Sequence, residues 1–403
     1  MGKNGKEKQR HSRKPPRGGG ASYYSQQDEE EEDDDYPYNG NEQQLSTISK
    51  EEEEEEEEEE ENEDENDINS PMDVPSKFLL YQQSVQSPKG DISYMLKFFL
   101  MYVGGRLPLH LQEDFCGTAL LSTEWLRGDP RRTAVGLDLD IDALNWCMEN
   151  NVKKVGADGF SRISLLHGNV LHPLEATLLK FEPENLIRNI SLEGIEGDPE
   201  TVPLESAMHV YPSTSTDDRC MNNFPLRARD IVCAFNYSSC CLHRRGDLIL
   251  YFKHVLNALS KKGGIFVMDL YGGTSSECKL KLQRRFPHFT YIWEQAEFDI
   301  IQRRTRISLH YHLQKQQKRL RHAFSYSWRL WSLPEIKDCL EEVGFQSVHF
   351  WIQQMPDTKE NRSAEGFGIG REVKYEEVTS FQQQDAWNAY IVGVAKKFPT
   401  STS

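Results

Sequence analysis

Polar and glycine residues stand where a short apolar segment gives way to a turn. The run EDFCGTA places Glu113, Asp114, Gly117 and Thr118 at such a point. A glycine-containing turn into a helix lets a ligand approach the backbone closely. This turn offers two carboxylates and no lysine of the phosphate-binding type. The chemistry it suits is therefore the binding of a cationic or hydroxyl-rich ligand.

Two further segment ends supply groups that bind hydroxyls and amines. Asp138, Leu139 and Asp140 follow the second apolar segment, and the carboxylates of Asp138 and Asp140 are placed to accept hydrogen bonds from ribose hydroxyls. The alternative for these two acids is that they are an N-cap and a first-turn acid of the helix that follows. Asn169 follows the third segment, where an amide suits an adenine edge.

The fourth segment is followed by side chains that are candidates for catalysis. These are Asn236, Tyr237 and His243. His243 could act as a general base, and a solvated loop histidine is the open alternative. Cys116 resembles a nucleophile, although a small packing residue is the favoured interpretation.

The elements that position these residues are predicted from the apolar pattern. Helical spacing over 75–103 is followed by alternating strands and helices. The strands are predicted at 107–115, 133–139, 161–168, 228–236 and 264–271, and the helices at 118–128, 141–156 and 246–264. This alternation predicts an α/β domain with a doubly wound, mostly parallel sheet. In such sheets ligands bind outside the carboxyl ends of the strands, where strand order reverses.

Two features interrupt the alternation, and a further helix and strands complete it. Residues 171–226 are a polar insertion, too long for an ordinary connection and predicted to be partly disordered. Residues 288–314 alternate apolar and polar side chains, which predicts one or two long antiparallel strands. A helix is predicted at 332–345, and strands at 347–353 and 387–397 around a loop at 357–383.

The first 70 residues differ in composition from the rest. They hold 25 acidic residues, including the run Glu51–Glu61, against 8 Lys and Arg, which is the whole net charge of −17. Such a segment is predicted to be disordered, leaving one domain over 71–403. This tail could bind a basic partner protein. It could instead fold back on the basic patches of the same chain at 302–306 and 315–322. A purely solubilising tail is the favoured alternative.

The motifs LQEDFCGTA, AVGLDLD, LLHGN, RDIVCAFN and GGIFVMDLYGG, in this order, resemble those of class I S-adenosylmethionine-dependent methyltransferases. The resemblance is close over 107–273 and looser over 274–397. The EDFCGTA wording is similar to a poorly characterised group of methyltransferase-like proteins. The family's loop reads acid-x-G-x-G-x-G. Here Glu113 holds the acid position, and Phe115, Gly117 and Ala119 stand for the three glycines.

The resemblance implies a Rossmann-like, seven-stranded fold with an antiparallel strand extension, and S-adenosylmethionine as cofactor. It implies that Glu113 and Gly117 hold the methionine end, that Asp138 binds the ribose and that Asn169 binds the adenine amine. Asn236 would lie beside the methyl-transfer position. The neighbours that complete the implied cofactor site are Asp114, Thr118, Leu139 and Val170.

Several functional readings stay open. A methyltransferase acting on a small molecule or a protein is favoured over one acting on RNA, because the folded part is neutral overall. A non-catalytic interaction protein that keeps the fold is a third reading. A dehydrogenase is least favoured, because G-x-G-x-x-G is absent. Eight cysteines without C-x-x-C spacing, no metal-site pattern, no membrane span and no secretory signal predict a cytoplasmic or nuclear protein.

Overall fold

The computed structural model describes residues 46–47, 75–156, 158–179, 227–355 and 374–397. These residues form seven α-helices and fourteen β-strands. The helices are α1 Lys77–Val85, α2 Pro88–Tyr102, α3 Leu120–Arg127, α4 Ile141–Asn150, α5 Gly159–Arg162, α6 Arg245–Ala258 and α7 Leu333–Val343. The first seven strands are β1 Ser46–Thr47, β2 His110–Asp114, β3 Thr133–Asp138, β4 Ile163–His167, β5 Thr177–Leu178, β6 Ile231–Ala234 and β7 Ile265–Gly272. The others are β8 Leu280–Arg285, β9 Phe289–Gln295, β10 Arg304–Leu313, β11 Lys318–Arg329, β12 Ser347–Gln354, β13 Glu376–Val378 and β14 Trp387–Val394.

The central sheet is doubly wound, as predicted. Seven strands form its centre in the order β4-β3-β2-β6-β7-β14-β12, and β5 and β13 add short edges. Within the seven, β14 runs antiparallel to the other six strands, which are parallel to one another. The chain moves outward from β2 through β3 to β4, then returns to β6 on the other side of β2. The order therefore reverses between β2 and β6, where ligands bind in sheets of this kind.

Both faces of the central sheet are covered, which explains its nearly continuous apolar strands. In β6, Ile231 and Cys233 pack into one hydrophobic cluster, and Val232 and Ala234 pack into the other. The first cluster includes side chains of α2, α3 and α4, and the second includes side chains of α6 and α7. Successive strand residues point to opposite faces, so an apolar run of this kind is required.

A second sheet stands apart from the first. It has five antiparallel strands in the order β1-β8-β9-β10-β11. The predicted strands at 288–314 are confirmed as β9 and β10, which are paired over seven residues. The predicted antiparallel extension is therefore present, and it forms a second sheet of its own. Leu309, Tyr311 and Trp328 of this sheet are buried in the cluster that contains α6 and α7.

The first two helices connect both sheets to the loop that follows β2. Gln82 of α1 donates a hydrogen bond from Nε2 to Thr118 Oγ1 at 2.6 Å. The hydroxyls of Ser84 in α1 and Tyr311 in β10 lie 3.3 Å apart. In α2, Asp91 accepts a hydrogen bond from the Tyr390 hydroxyl of β14. The predicted helical segment 75–103 is thus confirmed as two helices packed beside the strand ends.

The structure describes only parts of the tail, the insertion and the late loop. Ser46–Thr47 of the tail pair with β8, so at these two residues the predicted disorder does not hold. Thr177–Leu178 of the insertion pair with β4, and Glu376–Val378 form a strand inside the predicted loop. The other predictions for 1–70, and those for 180–226 and 356–373, lie outside the described residues. Among the described helices, none is long and apolar enough to cross a membrane.

Candidate functional site

The loop after β2 keeps the backbone path of a glycine-rich turn with only one glycine in it. Phe115, Gly117 and Ala119 all have left-handed conformations, with φ of 56°, 51° and 46°. A non-glycine residue in this region costs about 1–2 kcal/mol, so the surrounding structure must hold Phe115 and Ala119 in place. A Cβ added at Gly117 would meet nothing within 4 Å. The loop therefore presents an open backbone face at Gly117.

Glu113 supports this loop from below. It is buried, and its Oε2 accepts hydrogen bonds from the Ser122 backbone N–H at 2.9 Å and the Ser122 hydroxyl at 2.6 Å. Burial raises the pKa of Glu113 to about 7, against the lowering effect of the Ser122 bonds. Ala119 begins α3 without a side-chain cap, so Glu113 serves the first turn instead. The structure thus gives Glu113 a positioning role, and its contact with a ligand stays a prediction.

Asp114 and Thr118 are held inside the protein. Asp114 is 2% exposed, and it accepts hydrogen bonds from Gln112 Nε2 at 2.8 Å and the Tyr251 hydroxyl at 3.0 Å. Thr118 is 4% exposed and accepts the bond from Gln82 described above. Both residues fix neighbouring elements to the loop. Cys116 is also buried, and burial raises the pKa of its thiol, as expected of a packing residue.

Asp138 joins the ends of β2 and β3. Its Oδ2 accepts a hydrogen bond from the Gly117 N–H at 2.6 Å, and its Oδ1 accepts one from the Asp140 N–H at 2.8 Å. The helix cap is Asp140, whose Oδ1 accepts bonds from the N–H groups of Asp142 and Ala143. Asp138 is therefore not that cap. Its half-buried carboxylate has further lone pairs available beside Gly117.

The residues predicted for the adenine side lie at the ends of β3 and β4. Leu139 is 63% exposed, which is unusual for a large apolar side chain at a strand end. Asn169 Oδ1 accepts a hydrogen bond from the Leu171 N–H at 2.9 Å, which closes a turn, and its side-chain nitrogen bonds to none of the described residues. Val170 is buried and packs in the core.

Asn236 and Tyr237 form a second left-handed turn, after β6. Their φ angles are 58° and 57°. Their N–H groups donate to Asp269 Oδ2 at 2.9 Å and Oδ1 at 2.8 Å. Burial raises the pKa of Asp269 to about 8. The Tyr237 hydroxyl donates to Asn388 Oδ1 at 3.0 Å. The two residues are thus held rigidly at the strand end next to β2.

Asp269 is the site residue that the sequence prediction missed. It lies in the fifth predicted strand, where a lone acid inside the apolar run GIFVMDLY is a signal in itself. A carboxylate that is partly buried is costly unless it is hydrogen-bonded, and here it fixes the Asn236–Tyr237 turn.

His243 is attached to the second sheet. Its Nε2 lies 2.7 Å from the Ser327 carbonyl, and its own carbonyl accepts a bond from Arg329 at 3.0 Å. A carbonyl only accepts, so Nε2 carries the proton and cannot serve as a base. No contact among the described residues joins His243 to Asn236 or Tyr237. The role of His243 as a general base stays a prediction, and in that role Nδ1 would be the atom that accepts the proton.

Four carboxylates make this edge of the sheet electronegative. They are Asp91, Glu113, Asp138 and Asp269, and burial raises the pKa of each. Mutual repulsion contributes, since Asp91 raises the pKa of both Glu113 and Asp269. Within the described part of the chain, none of the four forms an ion pair with Lys, Arg or His. The arrangement favours a ligand that carries positive charge.

No protein-family model matches this chain, and no curated protein matches its sequence. Among solved structures, it is similar to an S-adenosylmethionine-dependent methyltransferase from Clostridium acetobutylicum ATCC 824, with 14% identity over 79% of this chain and 97% of that one and a TM-score of 0.47. It is also similar to the CcbJ methyltransferase from Streptomyces caelestis, with 10% identity over 80% of this chain and 94% of that one and a TM-score of 0.45. A third similar structure is that of Streptomyces venezuelae DesVI, with 12% identity over 81% of this chain and 100% of that one and a TM-score of 0.44.

These likenesses are distant, and the functional argument rests on the topology and the site instead. The strand order and the reversal between β2 and β6 are those of a doubly wound nucleotide-binding sheet. Gly117, Asp138 and Asn236 follow β2, β3 and β6, which are neighbours in this sheet. The fold is the Rossmann-like one that the resemblance to class I methyltransferases implies.

Proposed function

We propose that this chain is an S-adenosylmethionine-dependent methyltransferase acting on a small molecule or a protein side chain. The observation that carries the proposal is the loop 115–119 and its bond to Asp138. Three alternate residues adopt the left-handed conformation, and the Gly117 N–H is held by the acid at the next strand end. Phe115 and Ala119 replace the first and third glycines of the family motif, and both adopt the left-handed conformation that glycine favours.

The residues present fit this cofactor. Its sulfonium and ammonium groups are cationic, which suits an edge that carries Asp91, Glu113, Asp138 and Asp269. When bound, S-adenosylmethionine supplies an electrophilic methyl group on a positively charged sulfur. Asp138 would accept hydrogen bonds from the ribose hydroxyls, and Asn169 would bind the adenine amine. The open face at Gly117 would receive the methionine end.

The chain's own residues have little covalent work to do in such a reaction. Transfer is an in-line displacement, so the protein must orient donor and acceptor and exclude water. The Asn236–Tyr237 turn is suited to orientation, because Asp269 fixes both of its N–H groups. Among the described residues, no hydrogen bond engages the Asn236 side chain, which leaves its amide available to position an acceptor.

The test is calorimetric binding of S-adenosylhomocysteine, the demethylated product. Asp138→Ala removes a ribose partner and should cost about 1–3 kcal/mol, which is roughly tenfold or more in affinity. Asp140→Ala is the matched control: it removes an acid two residues away that only caps α4, so affinity should change little. Equal losses in both variants would remove the ribose assignment. Binding of NAD in place of S-adenosylhomocysteine by the wild type would refute the proposal.

A further inference from the structure

A cluster of aromatic rings, most of them half-buried, includes Tyr237, whose N–H group is held by Asp269. We call this group the aromatic recess, and it consists of Asp269, Tyr81, Tyr237, Tyr271, Tyr326 and Trp328. All except Trp328 keep accessible surface, while Trp328 is 3% exposed and forms the base. The Tyr237 ring centroid lies 4.8 Å from that of Tyr271 and 5.8 Å from that of Trp328. Tyr326 stacks on Trp328 at 5.6 Å.

Two carboxylates flank these rings. Burial raises the pKa of Tyr81 and of Tyr237, and the charge of Asp269 adds to both rises. Burial also raises the pKa of Tyr326, with a smaller contribution from the charge of Asp138. Gln82, the neighbour of Tyr81 in α1, bonds to Thr118, so the recess is connected to the loop that follows β2.

The recess has no cation of its own among the described residues. Elsewhere, Lys and Arg lie over rings at 3.8–5.7 Å, for example Lys77 over Phe324 at 5.1 Å. None lies over the five rings of the recess, and none forms an ion pair with Asp269. The π faces of Tyr and Trp attract cations within about 6 Å. Rings and carboxylate together select for a positively charged or basic group.

We propose that the aromatic recess receives the methyl acceptor and that this acceptor is an amine. The inference rests on the proposed function and deepens it. An ammonium ion would give one proton to a carboxylate oxygen of Asp269. The freed nitrogen lone pair would then form the N–C bond while the methyl carbon–sulfur bond breaks, and that electron pair stays on sulfur. Asp269 returns its proton to solvent after product release.

The properties of Asp269 agree with this role. Each of its oxygens accepts one backbone N–H and retains a second lone pair. With its pKa raised to about 8 by burial, Asp269 is a stronger base than an ordinary carboxylate, and a bound cation favours its ionised form. A carboxylate with an ordinary pKa near 4 would take a proton from an ammonium ion much less readily.

The experiment compares two probes of the same shape on the full-length protein saturated with S-adenosylhomocysteine. Benzyltrimethylammonium is cationic, and neopentylbenzene is its neutral isostere. We expect the cation to bind at least about tenfold more tightly, as followed by tryptophan fluorescence. Tyr326→Leu removes a ring without breaking a described hydrogen bond and should reduce this preference several-fold. Phe324→Leu, two residues away on β11 and already covered by Lys77, should leave it unchanged.

Asp269→Asn provides a second variant. It keeps one acceptor for the Asn236–Tyr237 turn and should also reduce the preference. Equal binding of both probes by the wild type, or displacement of S-adenosylhomocysteine by the cation, would overturn the amine assignment while leaving the proposed function intact. If the wild type fails to bind S-adenosylhomocysteine at all, the proposed function itself fails. The two failures are therefore distinguishable.

Discussion

Gly117 combines a left-handed backbone with open space where a Cβ would stand. Gly117→Ala should therefore have two effects. Folding should lose about 1–2 kcal/mol from the strained conformation. Affinity for S-adenosylhomocysteine should fall about tenfold, because the added methyl occupies the face that the ligand approaches. Urea unfolding and calorimetry measure the two effects separately.

Gly246→Ala is the control for this substitution. Gly246 lies in the first turn of α6, has no positive φ, and also has open space at its Cβ position. Alanine is the better helix former there, so stability should be unchanged or slightly higher and binding unaffected. If Gly117→Ala binds S-adenosylhomocysteine as the wild type does, the ligand does not lie on this face.

The raised carboxyl pKa values predict how stability depends on pH. Asp91, Glu113 and Asp269 have folded-state pKa values of about 6, 7 and 8, above the ordinary values near 4 of the unfolded chain. The folded state then binds more protons than the unfolded state between about pH 4 and 8. The stabilisation from these bound protons is fully present below the pKa values near 4 of the unfolded chain. It is lost as the pH rises through the folded-state pKa values of about 6, 7 and 8. The urea concentration at the unfolding midpoint should therefore decrease as the pH rises from 5.5 to 8.5.

Glu113→Gln should flatten this slope, because the amide has no proton to lose in that range. Gln can still accept the Ser122 N–H bond through its carbonyl oxygen, so helix α3 keeps a partner at its first turn. If the urea midpoint of the wild type stays level or rises over the same pH range, these carboxyl groups do not have raised pKa values.

At the scale of elements, strongly periodic and well-capped segments were predictable. Helix α7 shows why: Ser332 and Glu335 form a capping box at its start, and Gly344 ends it in a left-handed conformation. Strand β11 was not predicted, because KRLRHAFSYSWR contains so many basic residues that part of it was interpreted as a surface patch. Its residues Tyr326 and Trp328 belong to the aromatic recess, and only the pairing of β11 with β10 shows that they lie on one face.

The candidate site divides in the same way. The positions of Gly117, Asp138 and Asn236 at or just after strand ends were predictable, because they follow directly from the strand pattern. The left-handed conformations of Phe115 and Ala119 were not, since local sterics disfavour them and only the surrounding fold enforces them. Asp269 was overlooked as a site residue because its role depends on backbone groups of a different strand.

The insertion supports a prediction about folding. We expect residues 180–225 to be unnecessary for it, and a short linker in their place should leave the melting temperature nearly unchanged, because surface loop length costs little. The linker must preserve Thr177–Leu178, which pair with β4. A control variant with Pro at Leu178 should lose the β5 pairing only. Cooperative loss of structure on replacing 180–225 would show that the insertion contains a packed element.

At the scale of the whole molecule, the second sheet includes both a short strand of the tail and the strands that carry the basic patches. Ser46–Thr47 pair with β8 at one edge of that sheet, four residues before the run Glu51–Glu61 begins. The patch at 302–306 leads into β10, and the patch at 315–322 spans the turn into β11 at the other edge. Arg303 is already paired with Glu277 at 2.9 Å. Whether the acidic run contacts these basic patches is a question of charge and salt concentration that truncation can test.

Two truncations test what the tail does: removal of residues 1–45, which keeps β1, and removal of 1–70, which takes away β1 and the glutamate run. No tail residue matches a cofactor-site motif, so neither truncation should change the affinity for S-adenosylhomocysteine.

If the acidic run inhibits by folding back, loss of 1–70 should raise methyl transfer at about 0.02 M salt and have a much smaller effect at about 0.5 M, where screening shortens the reach of the charges. Loss of 1–45 should leave transfer unchanged, because the glutamates remain. A solubilising tail predicts no change in transfer at either salt concentration, and loss of cofactor binding in the 1–70 truncation would contradict both interpretations.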